Sequence, residues 1–435
     1  MRFLPAVVLT LASSAVSFGT NILANAILGR SLGVAGFGEF TLFVATAGML
    51  CAALDVTGSR HLHPVVLARD PALTAAAFLR GLGQAVTSAT LVVLLLESPI
   101  GDRLLVWIGG PGQATGISGP IAVAVACLVV NAHISKIRVG LRQYREMSLA
   151  ALTPAVCMLA GSSVLAGCGW LQFRATVWLW VGANFVACLV GTFAGTPLRF
   201  AGWSRSYPAA AAGVRAYLMQ VLNLLGVRVA LATVALSGDL GEVGLFSVAL
   251  SLVETLNRVP AVVTQVAVPE LARSSEELAG ERTARLNRMT VLGSVVACIL
   301  LALGGSPFIH AAFGDEFSRA YLILLALLPA ALGRSIVMNL TALYTTQGFP
   351  WVLHVAAIIG VVCNVAAAYV LVPPLGGLGA AISMSIGCIA WSGTLVASAA
   401  SSLQRPISDL LAFRRSDAAL VMGRLKAMRR DRHPA

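Results

Sequence analysis

What most restricts the fold of this chain is a succession of apolar runs, each about 20 residues long, divided by short polar breaks. Wound as a helix at about 1.5 Å per residue, such a run matches the hydrocarbon thickness of a bilayer. Backbone groups in hydrocarbon must bond within their own segment, so these runs are expected to be membrane-crossing helices. Twelve are expected, near 5–28, 38–58, 74–96, 117–137, 149–169 and 175–196, then 214–237, 243–266, 289–310, 319–343, 351–372 and 378–400. Charged residues make up only 11% of the chain, against about 25% in a soluble domain. The opening run resembles a secretory signal in length, but it leads into further spans and is read as the first of them.

The breaks are too short for a folded extramembrane domain; the longest, 97–116 and 269–288, hold about 20 residues. The expected organisation is therefore a six-helix half over 1–210, a second over 211–402 and a basic tail over 403–435. With the N-terminus in the cytoplasm, 23 of the 30 basic residues fall on the inner side, four outside and three within spans. That asymmetry orients the chain with both ends cytoplasmic. The basic inner rim suits anionic membrane lipids, whereas nothing aromatic interleaves the tail arginines as nucleic-acid binding would require. The eight cysteines lie in apolar runs without metal-ligand spacing, so no metal, disulfide or cofactor is expected. The chain has only two lysines, Lys136 and Lys426, and no phosphate-binding glycine loop, which excludes ATP hydrolysis by this chain.

The polar residues inside spans carry the functional argument. A charge at mid-bilayer costs about 2.5–3.5 kcal/mol on insertion scales and marks a cavity or a partner. In the run 243–269, Glu254 precedes Arg258 by four residues, which puts both on one helical face, with Ser247, Ser251 and Gln265 beside them. Pro260 is expected to kink this helix and free a carbonyl. In the first span Ser14, Ser17, Asn21 and Asn25 form a stripe that serves either a cavity or interhelical hydrogen bonds. Tyr217 and Arg228 share a face of the seventh span, and Arg334 lies in the tenth, aligned with Thr341 and Thr345. Three arginines against one glutamate leave a positive surplus, and the planar guanidinium suits phosphate oxygens.

A repeat runs through the chain. Phe37-Gly38-Glu39-Phe40-Thr41 enters the second span and Val243-Gly244-Leu245-Phe246-Ser247 enters the eighth, so the two halves form a parallel repeat. The stretch Gly29-Arg30-Ser31-Leu32-Gly33-Val34-Ala35-Gly36-Phe37-Gly38-Glu39-Phe40, together with Asp55-Val56-Thr57-Gly58-Ser59-Arg60, resembles the start of Wzx-like O-antigen and teichoic-acid flippases. These are polysaccharide exporters of the multidrug/oligosaccharidyl-lipid/polysaccharide (MOP) superfamily. Phe313-Gly314-Asp315-Glu316-Phe317 and Pro373-Pro374-Leu375-Gly376-Gly377-Leu378-Gly379-Ala380-Ala381 fit the same pattern. The resemblance implies an all-α polytopic protein with about twelve transmembrane helices in two six-helix lobes around a V-shaped central cavity. One departure is Ala230, where many relatives carry an acidic residue two places after the seventh-span arginine.

The expected activity is flipping of a polyprenyl-diphosphate-linked oligosaccharide across a bacterial inner membrane by alternating access. Arg228, Arg258 and Arg334 would hold the diphosphate. Ser14, Ser17, Asn21, Asn25, Tyr217, Ser251, Glu254 and Gln265 would line the cavity; no catalytic residue is assigned. Polysaccharide-assembly proteins are candidate partners. Two other readings are a multidrug exporter of the related MATE type, whose organic-cation substrates would favour a net acidic cavity, and a membrane-embedded glycan polymerase or ligase. For the last, the stretch 97–116 offers only Glu97, Asp102 and Arg103.

Overall fold

The computed structural model describes residues 3–54, 59–98, 118–194, 210–237, 239–272, 275–348 and 350–412. Every element among them is helical. In chain order these are α1 (Phe3–Leu54), α2 (Ser59–Arg69), α3 (Thr74–Leu96), α4 (Ser118–Gly140), α5 (Tyr144–Gly167), α6 (Phe173–Phe193) and α7 (Ala210–Leu236). They continue as α8 (Leu240–Leu256), α9 (Arg258–Leu271), α10 (Glu276–Phe313), α11 (Ala320–Thr346), α12 (Trp351–Leu375), α13 (Gly377–Ser402) and the short α14 (Ile407–Leu411).

Ten of these helices are long and apolar enough to cross a membrane, or eleven spans when the bent pair α8–α9 is counted as one. Helix α1 is 52 residues long, about 78 Å if straight and more than twice the hydrocarbon thickness. It is interrupted at Gly33 (φ 69°), and only a residue without a Cβ takes that backbone conformation at no cost. Gly29 and Phe37, four residues either side, meet the same two rings, Phe313 and Phe317. Counting the two parts of α1 separately raises eleven spans to the expected twelve, and the chain is a multi-pass membrane protein.

The helices pack in two sets. In the first, α1 lies on α4 and α5, α3 on α4, and α4 and α5 on α6. In the second, α7 lies on α12 and α13, α8 and α9 on α11, α10 and α13 also on α11, and α12 on α13. The sets meet along a seam made by α1 against α7, α8 and α9, with α2 against α7.

At the Gly33 end this seam is tight and pseudo-symmetric. A Cβ on Gly38 would lie 2.3 Å from the carbonyl oxygen of Leu240, and one on Gly244 would lie 2.3 Å from that of Val34. Gly38 and Gly244 are the paired glycines of the repeat, and Val34 and Leu240 are separated by the same interval. Small residues let helix backbones approach this closely. Beside them Arg30 donates from Nε to the Ala312 carbonyl (3.0 Å) and from Nη2 to that of Ala311 (2.6 Å). It thereby satisfies carbonyls that the end of α10 leaves unbonded.

Several local expectations change. The eighth span is not one helix: α8 and α9 meet at Asn257 with a bend of about 40°. The break before the third span contains α2, which tolerates Pro64 within it. The break at 269–288 is largely helix, because α10 extends from Glu276 and its polar start packs on α14. Arg138 is no rim residue; fully buried, it donates to the carbonyls of Gly191 (2.9 Å) and Thr192 (3.2 Å) at the end of α6. Arg288, also buried, donates to the Asp409 carbonyl at 2.6 Å. Cys168, although in an apolar run, is exposed. Asp55, most of 97–116 and the tail beyond Ala412 lie outside the described residues.

Candidate functional site

Two cavities open along the seam. The first, of about 800 Å³, lies between α1, Ala151 of α5, and the α8–α9 elbow. Ser14, Ser17, Asn21 and Asn25 line it from α1, and Ser251, Glu254, Thr255 and Arg258 line it from the elbow. The stripe faces this wall because its three- and four-residue spacing keeps one side of α1 polar over three turns. Most of its groups are held by their own helices: Asn21 Nδ2 donates to the Ser17 carbonyl (2.9 Å) and Ser251 Oγ to that of Val248 (2.8 Å). Such back-bonding occupies donors and leaves hydroxyl and amide oxygens able to accept.

Glu254 and Arg258 share the wall without bonding to each other; neither makes a hydrogen bond or ion pair among the described residues. The favourable spacing holds only within one continuous helix, and Asn257 falls between them. Pro260 supplies the physical reason for the break. It has no N–H for the Leu256 carbonyl, and its ring crowds that same group. Asn257 ends α8, with its own N–H on the Val253 carbonyl at 3.4 Å. Its side chain is buried, and neither amide atom has a partner.

The second cavity, of about 1090 Å³, is lined by Pro64 of α2, Lys136 and Val139 of α4, Gln220 and Asn223 of α7, Thr264 of α9, and Arg334, Thr341 and Thr345 of α11. Trp391 of α13 closes it. No carboxylate is among its described lining residues.

The arginines singled out in the sequence are therefore not gathered in one cavity. Arg258 lines the first and Arg334 the second, while Arg228, half-buried on α7, lines neither. Tyr217 is a bridge rather than a cavity wall: its hydroxyl donates to the Ala53 carbonyl at 2.6 Å. Gln220, one turn on, donates likewise to that of Ala52. Together they tie α7 to the end of the second span. The side chain of Gln265 lies outside the described residues.

Two features escaped the sequence. Lys136 reads as inner-rim charge, yet it faces a cavity. His63 and His133, 70 residues apart, are both buried and joined Nε2 to Nδ1 at 2.9 Å. Gly81 makes room for the His133 ring, since a Cβ there would sit 2.8 Å from it. Nothing in the local pattern signals that pairing.

No protein-family model and no curated protein matches the chain. Solved structures do match its fold. A MATE structure in complex with MaL6 superposes with a TM-score of 0.72 at 16% identity, covering 92% of this chain and 96% of that one. A MOP superfamily transporter from Pyrococcus furiosus Vc1, described by a reverse polarity of its binding pocket that suggests a different function, gives 0.72 at 15% identity, covering 92% and 95%. An outward-facing multidrug resistance MATE family transporter gives 0.70 at 15%, with the same coverage. Across 92% of its length, the chain shares the fold of these MATE and MOP superfamily transporter structures.

Proposed function

We propose that this chain is an alternating-access transporter that moves an anionic lipid-linked glycan, of the polyprenyl-diphosphate class, from the cytoplasmic to the outer leaflet of a bacterial inner membrane. The observation that carries the reading is Arg258, whose side chain lines a seam cavity with five hydroxyl and amide side chains of α1 and has no carboxylate bonded to it among the described residues. A cavity-lining guanidinium with no bonded counter-charge favours an anion, and the polar stripe suits sugar hydroxyls. Arg334 and Arg228 enter as further anion contacts along the seam rather than as one clamp with Arg258. Glu254 would tune Arg258 or carry a coupling proton. Anionic lipids would meet the basic inner rim, with both chain ends cytoplasmic.

A second reading, multidrug export, is favoured by the structural neighbours, which include multidrug resistance MATE transporters. Cavity charge weighs against it here, because the described lining residues of both cavities include Lys136, Arg258 and Arg334 against Glu254 alone.

Reconstitution in proteoliposomes separates the two. The lipid-linked reading expects translocation of a fluorescent polyprenyl-diphosphate sugar that is lost in Arg258→Ala while the protein still inserts. Transport of an organic cation, with no movement of the lipid-linked sugar, would establish the second reading instead.

A further inference from the structure

We infer that Trp391 and Thr341 form a sugar subsite in the second cavity, and that they make the protein prefer a glycan-bearing lipid over the same lipid without its sugar. The inference rests on the transport reading for the carrier lipid and deepens it, by naming uncharged groups that read the ring itself.

Two buried groups of this wall have no partner among the described residues, the indole Nε1 of Trp391 and the hydroxyl of Thr341. A buried polar group left unbonded is costly and rare, so each calls for something that enters the cavity. Trp391 is 3% exposed, and its side chain is seated against two glycines. A Cβ on Gly226 of α7 would lie 3.1 Å from its Cζ3, and one on Gly360 of α12 would lie 2.6 Å from its Cβ. The indole is thus held in one orientation before any ligand arrives.

The bonding capacity of the lining selects the ligand. An indole N–H can only donate, so its partner must accept. Thr345 and Thr264 of the same cavity are the reverse. Their hydroxyl hydrogens are spent on the Thr341 carbonyl (2.7 Å) and on Asn339 Oδ1 (3.4 Å), so toward a ligand each can only accept. Thr341 can do both, as can the amide of Asn223. An ionised phosphate group is essentially an acceptor and would leave Thr345 and Thr264 unmatched, and an alkyl chain would match none of the five. Hydroxyl and acetamido groups donate and accept, and a sugar ring carries several of them at fixed spacing. Arg334 shares this wall; as a diphosphate contact of the proposed function, it makes the ring next to the phosphates the one that sits here.

The test measures binding by the purified full chain in detergent micelles, read by fluorescence anisotropy of two dansyl-labelled probes. One is a polyprenyl diphosphate and the other is the same lipid carrying a single N-acetylhexosamine. The wild type should bind the sugar-bearing lipid about tenfold more tightly. Thr341→Val, which keeps the shape and removes only the hydroxyl, and Trp391→Phe, which removes the N–H, should each shrink that ratio several-fold. Affinity for the sugar-free lipid should not change, and Thr341→Ser should keep the full ratio. Melting of unliganded Thr341→Val should be no lower than that of the wild type, because the hydroxyl it removes has no partner to lose. Competition by free N-acetylhexosamine distinguishes a ring recognised in solution from one recognised only on its lipid. Equal binding of the two lipids by the wild type would overturn the inference and leave the anion reading standing. A preference that survives in both Thr341→Val and Trp391→Phe would overturn it as well. Binding of neither lipid would overturn the transport reading and this inference together.

Discussion

The glycine contact at the Gly33 end makes a prediction that a merely approximate packing would not. Gly38→Ala places a methyl 2.3 Å from the Leu240 carbonyl oxygen and 3.0 Å from the Gly244 nitrogen. Both obstacles are backbone, so no side chain can rotate away, and α1 and α8 must separate by about 1 Å. Overpacking of this kind costs about 1–3 kcal/mol, and a rigid carbonyl puts this case near the top of the range. Alanine regains about 1 kcal/mol of helix propensity over glycine. The net loss for the single variant is therefore about 2 kcal/mol, roughly a thirtyfold shift away from the apposed state. Gly244→Ala, which strikes the Val34 carbonyl at the same distance, should behave identically. The double variant is the sharper case. One separation of the helices relieves both clashes, whereas the propensity gain is made twice, so its net loss falls to about 1 kcal/mol. Thermal unfolding of the purified protein measures all three. Labelling of an Asn25→Cys thiol, in a chain otherwise free of cysteine, reports whether the seam has opened. Equal additive losses, or no loss in the single variants, would refute the claim that these two backbones touch.

Other perturbations have defined outcomes. Asn257 keeps a buried amide unbonded at the elbow, so Asn257→Leu should raise thermal stability by about 1–2 kcal/mol while lowering transport, a combination read by melting and proteoliposome assay together. Asn339 joins α11 to α10, donating to Asn287 Oδ1 (3.2 Å) and to the Thr290 hydroxyl. Asn339→Ala should cost about 1–3 kcal/mol, read by thermal melting, by orphaning those buried acceptors. Glu242, near the start of α8, accepts from the Gly377 N–H at 2.9 Å and pairs with Arg319 at 3.1 Å. Glu242→Gln should cost only about 1 kcal/mol, since Arg319 is largely solvated and the N–H bond survives; a much larger drop in melting temperature would contradict this.

The membrane class, the number of spans and the division into two similarly oriented halves were legible in the sequence, because bilayer thickness and backbone hydrogen bonding leave few alternatives for runs of this length. The stripe Ser14, Ser17, Asn21 and Asn25 was legible for a similar reason: helical periodicity alone puts four residues on one face. The elbow was half legible, since Pro260 announces a break, but the position of that break between Glu254 and Arg258 undoes the pairing their spacing suggested. What only the tertiary structure decided was which faces meet across the seam. It separates Arg258 from Arg334, turns Tyr217 into a bridge, brings Lys136 into a cavity and joins His63 to His133. Each of these depends on contacts between helices remote in the chain, where packing of small residues sets the approach and no local period carries the information.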